Sequence, residues 1–217
     1  MAKSLFYNTV LPRLLSPLQK LMKATEFNGF RLVGGTSLSL QLGHRESVDI
    51  DLFTDAAYDS VDFNSIDIYL RSNYSYVDTF NTPIVGMGKS YYIGESSKQC
   101  IKLDLYYTDT FIRPILKIDG LRLASIEEII AMKIDVVSRS GRKKDFWDIH
   151  ELLDTYSIDQ MLQLHEERYP YSHDRQEILA RFIQFENVDG DFDPICLKHK
   201  YWEIIKLDIL EAIQDQS

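Results

Sequence analysis

The sequence of 217 residues predicts an α+β fold, in which a mixed β-sheet is flanked by helices and followed by a helical C-terminal region. Two observations predict it. Short apolar or alternating segments separated by turn residues recur between residues 30 and 118, as expected for strands. After residue 125 the apolar residues recur at helical spacing. We expect residues 1–110 to form an α/β core with an N-terminal helix, and residues 111–217 to form a mainly helical region that completes the site.

The first half of the chain alternates helix and strand signals. Residues 4–24 carry an apolar helical stripe and are predicted to form a helix, in which Pro12 and Pro17 are the positions where a split is expected. A strand over residues 30–33, a Gly34-Gly35 turn and a short helix that ends at Gly43 come next. A second strand follows over residues 48–52. The further predicted elements are a helix over 63–72, a strand over 74–80, a hairpin of 84–87 and 90–93 around Gly88-Lys89, a strand over 99–107 and an extended segment over 112–118.

The second half is predicted to be helical. Asp119-Gly120 is a turn signal, and Ser125 with Glu128 forms a capping box that opens a helix reaching about residue 138. Ser140-Gly141 ends that helix. Four more helices are predicted over residues 145–153, 158–169, 173–185 and 198–213.

Composition excludes several classes of protein. The formal net charge of −9 argues against a protein that coats nucleic acid without specificity, although a local basic patch remains possible. The two isolated cysteines argue against a disulfide framework or a structural zinc site and fit a reducing cytosol. No signal-peptide pattern and no stretch of about 18 apolar residues is present. We therefore expect a cytoplasmic protein without a membrane partner.

The stretch from Leu32 to Phe53 carries the clearest chemistry. Glycines let backbone N–H groups approach a ligand closely, and a helix N-terminus just after them favours a phosphate group. In the following strand side chains alternate, so that Asp49 and Asp51 share one face. Two carboxylates beside a phosphate cradle are typical of a site for Mg²⁺, or for Mn²⁺ in its place.

Two further charged residues interrupt apolar patterns. Asp104 lies in the middle of the strand over residues 99–107, either on a solvated edge face or as a third metal-binding or basic carboxylate. Lys133 lies among apolar residues of a helix, so its ammonium must either reach water along the helix surface or enter a polar site.

A basic run leads into the helix over residues 145–153. It is either a solvated linker or a contact for RNA or triphosphate, and its members are Arg139, Arg142, Lys143 and Lys144. Asp145 and Asp148 lie three residues apart and so on one helical face. Asp145 is expected to contact a ligand or to orient Lys133, whereas Asp148 is expected to face water only.

These motifs resemble a known family. Val33-Gly34-Gly35, thirteen residues and then Asp49-Ile50-Asp51-Leu52 are similar to the signature of nucleotidyltransferases of the polymerase-beta type. The longer run to Phe53, the Lys102-Leu103-Asp104 segment and residues 129–148 resemble the AbiEii/AbiGii toxin-type nucleotidyltransferases. The resemblance spans about residues 30–153 and implies a nucleotidyltransferase-type mixed sheet. One departure is Val33, which stands where many members have lysine.

The resemblance also implies roles for single residues. The nucleoside triphosphate (NTP) would be bound by Gly34, Gly35, Thr36, Arg45, Ser47 and Lys133. His44 would either join Arg45 in stabilising the charge of the leaving pyrophosphate or have a capping or surface role. The divalent metal would be bound by Asp49, Asp51 and Asp104. Catalysis would depend on Asp49, Asp51, Asp104, Lys133 and Asp145. Asp104 would help to activate the acceptor hydroxyl, either as a general base or by holding a second metal ion.

The function that the resemblance implies is Mg²⁺-dependent transfer of a nucleoside monophosphate from an NTP to an acceptor. The expected acceptor is tRNA or another RNA, and the expected biological role is that of a toxin in a toxin–antitoxin or abortive-infection phage-defence system with a cognate antitoxin protein. Two alternatives stay open at this point. One is transfer to a small molecule or a protein, which the acidic composition favours, and the other is a non-catalytic NTP-binding module of the same fold.

Overall fold

A computed structural model of the chain describes residues 4–80 and 86–214. Within these residues the strands are β1 Arg31–Leu32, β2 Asp49–Thr54, β3 Tyr76–Thr79, β4 Gly88–Ser96, β5 Gln99–Tyr107, β6 Leu116–Ile118 and β7 Leu121–Leu123. The helices are α1 Pro12–Lys23, α2 Gly34–Leu42, α3 Phe63–Asn73, α4 Ile126–Ser140, α5 Lys143–Leu153, α6 Ile158–Arg168, α7 Arg175–Phe182 and α8 Trp202–Gln214. The α+β class predicted from the sequence is confirmed.

The described strands form a single mixed sheet in the order β3-β4-β5-β2-β1-β7-β6. Strands β2 and β5 are parallel neighbours, with Asp51 opposite Asp104, and β4 pairs antiparallel with β5. Strand β7 pairs parallel with β1, so two strands beyond residue 110 belong to the sheet. The division of the chain at residue 110 therefore stays a prediction, and the sheet itself crosses it.

The apolar core has two parts, one on each side of the sheet. One cluster lies under α1 and α3 and includes Ile50, Leu52 and Leu103. The other lies among α4 to α8, and Val33 and Leu38 contribute to it from the first half of the chain. Side chains alternate along β2, so Asp51, between Ile50 and Leu52, points away from α1 and α3 and toward the side covered by α4 to α8. The site described below lies on that side.

Several local predictions need correction at glycine and proline positions. Helix α2 begins at Gly34 itself, so the two glycines form its first turn and not a separate turn before Ser37. Its end at Gly43, which has a φ of 70°, is confirmed. Helix α1 begins at Pro12 and not at Ser4, because proline fits the first helical position, where its missing N–H is not needed.

The predicted hairpin around Gly88-Lys89 is wrong. Both residues lie inside β4, and the chain turns instead at Ser97-Lys98, between β4 and β5. A Cβ at Gly88 would overlap the backbone of β5, so this glycine permits a close approach of two strands. The first arm of that predicted hairpin lies partly outside the described residues, at positions 84 and 85.

Helix α4 begins as predicted, but its capping box is only half formed. The Ser125 hydroxyl accepts a hydrogen bond from the Glu128 N–H at 3.3 Å. The Glu128 carboxylate does not return to Ser125. It accepts from the Arg113 N–H at 2.9 Å and pairs with the buried guanidinium of Arg168 on α6, which joins the two helices. No described helix is both long and apolar enough to cross a membrane.

Candidate active site

A pocket of about 330 Å³ opens between the sheet and the helical layer. Its lining residues come from the start of α2, from β2 and β5, and from the facing sides of α4 and α5. They include Gly34, Gly35, Asp49, Asp51, Lys102, Asp104, Lys133, Arg142, Lys144 and Asp145, together with Val33, Phe53, Ile129, Met132 and Val136. The structure therefore brings both glycines, all three predicted metal-binding carboxylates, Lys133 and Asp145 to one cavity.

Gly34 connects the N-terminus of α2 to the carboxylates of β2. Its φ is +65°, a left-handed conformation that side chains rarely adopt. A Cβ at this position would lie 2.7 Å from Oδ2 of Asp51. Glycine thus allows the helix N-terminus, with its free N–H groups, to lie directly against a carboxylate of the pocket.

The three carboxylates concentrate negative charge on adjacent strands. Asp49 and Asp51 lie two residues apart on the same face of β2, and Asp104 lies opposite Asp51 on β5. Burial, together with the neighbouring charges of Asp104 and Asp49, raises the pKa of the Asp51 carboxyl to about 6. Lys144 and Lys133 oppose this rise in pKa without cancelling it, and a bound cation would favour the ionised form of Asp51.

Lys133 reaches the pocket from α4 and is held by two carboxylates of α5. Its Nζ lies 2.5 Å from Asp145 Oδ1 and 2.6 Å from Asp148 Oδ2. Burial opposes the charge on Lys133, but Asp148 and Asp145 outweigh it and raise the pKa of the ammonium. Of the two outcomes open from the sequence, the Lys133 ammonium thus enters a polar site and does not run along the helix surface to water.

Asp148 is completely buried, and the prediction that it faces water is wrong. It accepts hydrogen bonds from Arg45 at 2.6 Å (Nε to Oδ1) and 2.8 Å (Nη2 to Oδ2), and it pairs with His44 Nε2 at 2.8 Å. Burial opposes its ionisation, yet Arg45 and Lys133 hold the pKa of Asp148 well below its usual range. Asp148 therefore fastens Lys133 to the segment that follows α2.

Three residues predicted to bind phosphate lie behind the pocket lining. Thr36 is buried and donates to the Asp49 carbonyl, and its hydroxyl lies 2.7 Å from that of Ser47. Arg45 is buried against Gly35 and bound to Asp148. These side chains hold α2, β2 and α5 together, and a direct contact with phosphate stays a prediction for each of them.

The basic run after α4 divides between two surroundings. Arg142 and Lys144 line the pocket, and Lys144 Nζ lies 3.8 Å from Asp49 Oδ2. Lys143 turns away and donates to the Asp189 carbonyl at 2.9 Å. Arg139 pairs with Asp135 on its own helix. Half of the run is thus available to a ligand in the pocket.

Sequence reasoning missed the apolar wall of the pocket, and it assigned Lys102 to a family motif without a role in the site. Ile129, Met132 and Val136 lie on the same face of α4 as Lys133, at helical spacing, and Phe53 continues the alternation of Asp49 and Asp51 on β2. Both signals were present in the sequence. Such a wall offers a surface for an apolar or aromatic part of a ligand, beside the charged part of the pocket.

No group of three or more His, Cys, Asp or Glu side chains within residues 4–80 and 86–214 is arranged to hold a metal ion as it stands. One of the three predicted metal-binding carboxylates, Asp104, is already paired, since its Oδ2 lies 2.6 Å from Lys102 Nζ. Its other oxygen, Oδ1, is buried and has no hydrogen-bond partner among the described residues.

Comparisons with known proteins agree with this fold. The structure of JHP933 from Helicobacter pylori is 18% identical, with a TM-score of 0.55 over 93% of this chain and 88% of that one. MenT4, a nucleotidyltransferase toxin from Mycobacterium tuberculosis H37Rv, is 14% identical, with a TM-score of 0.59 over 94% of this chain and 82% of that one. An uncharacterized Aquifex aeolicus protein, aq_aa25, is 27% identical over 201 residues, covering 87% of this chain and 88% of its own length.

The fold and the pocket define a nucleotidyltransferase. The family model described as nucleotidyl transferase AbiEii toxin, of type IV toxin–antitoxin systems, matches residues 18–215. The chain therefore belongs to the AbiEii nucleotidyltransferase toxin family, and the resemblance seen in the sequence is confirmed over a longer span than the motifs alone covered.

Proposed function

We propose that this toxin nucleotidyltransferase uses Mg²⁺ to transfer a nucleoside monophosphate from an NTP to the hydroxyl of an RNA acceptor, with tRNA as the foremost candidate. The observation that carries the proposal is the convergence of the α2 N-terminus, three carboxylates and Lys133 on one pocket. Phosphoryl transfer needs little beyond such positioning and charge stabilisation. We expect the protein to act in the cytoplasm, where NTPs and RNA are present, under control of a cognate antitoxin.

Asp49 and Asp51 are the residues that would hold the metal ion. They share one face of β2, and their oxygen donors suit a hard cation. When bound, Mg²⁺ supplies Lewis-acid stabilisation of the phosphate oxygens. The N–H groups at the start of α2, together with Lys133, Arg142 and Lys144, would bind and neutralise the triphosphate.

Asp104 is suited to activate the acceptor. Asp104 lines the pocket, and its carboxylate would take the proton of the acceptor hydroxyl. The hydroxyl oxygen then forms a bond to the α-phosphorus, and the bond from that phosphorus to the α,β-bridging oxygen breaks. Pyrophosphate leaves with the bonding electrons, beside the positive charges of Lys133 and Lys144.

The acceptor is the part of the proposal with the strongest competitor. Arg142, Lys144 and Lys102 give the pocket a basic lining that suits an RNA backbone. The net charge of −9 favours instead an acceptor that is not a nucleic acid, either a small molecule or a protein. We place RNA first because these basic side chains lie in the pocket where the acceptor must react.

Incubation with each of the four α-labelled NTPs, Mg²⁺ and, separately, tRNA, total RNA, total protein and small metabolites tests this function. We expect label in RNA with the wild type and with Asp59→Asn, an exposed carboxylate outside the pocket. Asp49→Asn should reduce incorporation by about 10²-fold or more, because one metal ligand is lost. Label only in protein or in a small molecule would support the second candidate. NTP binding without transfer to any acceptor would indicate a non-catalytic module.

A further inference from the structure

Lys102 lies inside the carboxylate cluster without an assigned role. In the parallel pairing of β2 with β5 it is opposite Asp49, and Asp104 is opposite Asp51. Because residues two apart on a strand share a face, Lys102 and Asp104 both point into the pocket. The distance from Lys102 Nζ to Asp104 Oδ2 is 2.6 Å, a short charge-assisted hydrogen bond.

The Lys102 ammonium lies beside the carboxylate cluster. It donates to Asp104, and Lys102 is opposite Asp49 in the pairing of β5 with β2. About 38% of the side chain is exposed, so the ammonium reaches the open space of the pocket while bound to Asp104. The cluster thus contains three carboxylates and, on β5, the singly charged ammonium group of Lys102.

The contact with Lys102 involves only one of the two carboxylate oxygens of Asp104. Oδ2 is occupied by Lys102, whereas Oδ1 is buried and has no partner among the described residues. A second divalent ion would have to lie about 3.5–4 Å from the first, bound to the same carboxylate group. An ammonium that already occupies Oδ2 both removes a ligand from that ion and repels it.

We propose that Lys102 is a positioning residue that occupies, beside Asp104, the place of a second divalent cation. The site then binds one Mg²⁺, at Asp49 and Asp51, and Asp104 binds no metal ion and would act only as the base for the acceptor hydroxyl. This inference depends on the proposed function, because it assigns the metal to Asp49 and Asp51.

Counting bound Mn²⁺ by electron paramagnetic resonance tests the inference directly. The titration uses the full chain saturated with the α,β-methylene analogues of ATP, CTP, GTP and UTP in turn. We expect one ion per chain for the wild type and for Lys102→Arg, which keeps the charge, and two for Lys102→Gln, which frees Asp104 Oδ2. Lys98→Gln, at an exposed turn position next to β5, is the matched control and should bind one ion.

The outcomes separate this inference from the proposed function. Two ions in the wild type, or one ion in a Lys102→Gln variant that melts like the wild type, would overturn the role of Lys102 while leaving nucleotidyl transfer intact. If Lys102→Gln does not fold, a second ion in Lys102→Met decides in its place. Mn²⁺ binding that Asp49→Asn leaves unchanged would instead refute the metal site of the proposed function. As a second readout, transfer by Lys102→Gln should change from first-order to second-order dependence on Mg²⁺.

Discussion

At the scale of single residues, the pocket requires a residue without a Cβ atom beside the carboxylates. Gly34 combines a positive φ with a close approach to Asp51, so it meets two independent requirements. Gly120, in the turn between β6 and β7, also has a positive φ but has open space where a Cβ would be. Substitutions at these two glycines therefore distinguish the effect of backbone strain from the effect of steric overlap with Asp51.

We predict that Gly34→Ala abolishes nucleotidyl transfer, whereas Gly120→Ala does not. Both variants should lose about 1–2 kcal/mol of unfolding free energy, because alanine disfavours the left-handed conformation. Only at position 34 does the added Cβ displace the Asp51 carboxylate. Urea denaturation and the labelled-NTP assay measure the two effects. Normal transfer by Gly34→Ala would show that the contact with Asp51 has no importance for the site.

At the scale of elements, the site is assembled by a buried network that joins three segments. Asp148 on α5 binds Lys133 on α4 and both His44 and Arg45, which follow α2. Such a network is fully compensated only when every member is present, since a buried charge without its partner is costly. The same contacts that hold the helices to the sheet also hold Lys133 in the pocket.

We predict that Asp148→Asn lowers the free energy of unfolding by about 3–5 kcal/mol, because Arg45 and Lys133 keep their charges and lose the main partner that compensates them. Asp154→Asn, an exposed change just after the same helix, should cost less than about 0.5 kcal/mol. Urea denaturation of both variants is the measurement. Equal urea midpoints for Asp148→Asn and Asp154→Asn would mean that the network around Asp148 does not contribute to stability and serves only to fix the arrangement of the three segments.

At the scale of the whole molecule, the helical layer carries a pH-sensitive contact between α4 and α6. His165 is buried on α6, with Nε2 3.8 Å from Asp135 Oδ1 and Nδ1 2.9 Å from His173 Nδ1. Burial, and then the positive charge of Arg139, lower its pKa from 6.5 to about 4. The folded state therefore keeps His165 neutral at a pH where the unfolded chain binds a proton.

We predict that the contribution of His165 to stability is lost as pH decreases from about 6.5 to about 4, because in this window a proton binds at this imidazole preferentially in the unfolded state. The loss from this one group should be about 1–3 kcal/mol. Unfolding free energies at pH 7.5 and pH 5 compare the wild type with His165→Gln, which should lose less on acidification. His199→Asn, at an exposed position, should follow the wild type. The same loss in His165→Gln as in the wild type would assign the pH effect to other groups.

The local features of the chain could be predicted from the sequence. Asp49 and Asp51 share a face because side chains alternate along any strand, Gly43 ends α2 because glycine accepts a left-handed φ, and Ser125 begins α4 because its hydroxyl accepts a backbone N–H. The motif spacing around these residues also indicated the family. Each of these conclusions depends on neighbours within a few residues.

Only the tertiary structure decided the contacts between distant segments. The pairing of β2 with β5 places Lys102 on the carboxylate cluster, and the packing of α5 against the end of α2 buries Asp148. The pattern of one helix showed an exposed polar face at Asp148, because the cation that covers it, Arg45, is 103 residues away. Likewise Gly88 resembled a turn residue until the backbone of β5 was seen to lie against it. A local sequence pattern specifies on which face of a helix or strand a side chain lies. The pairing of distant segments specifies which residues pack against that face.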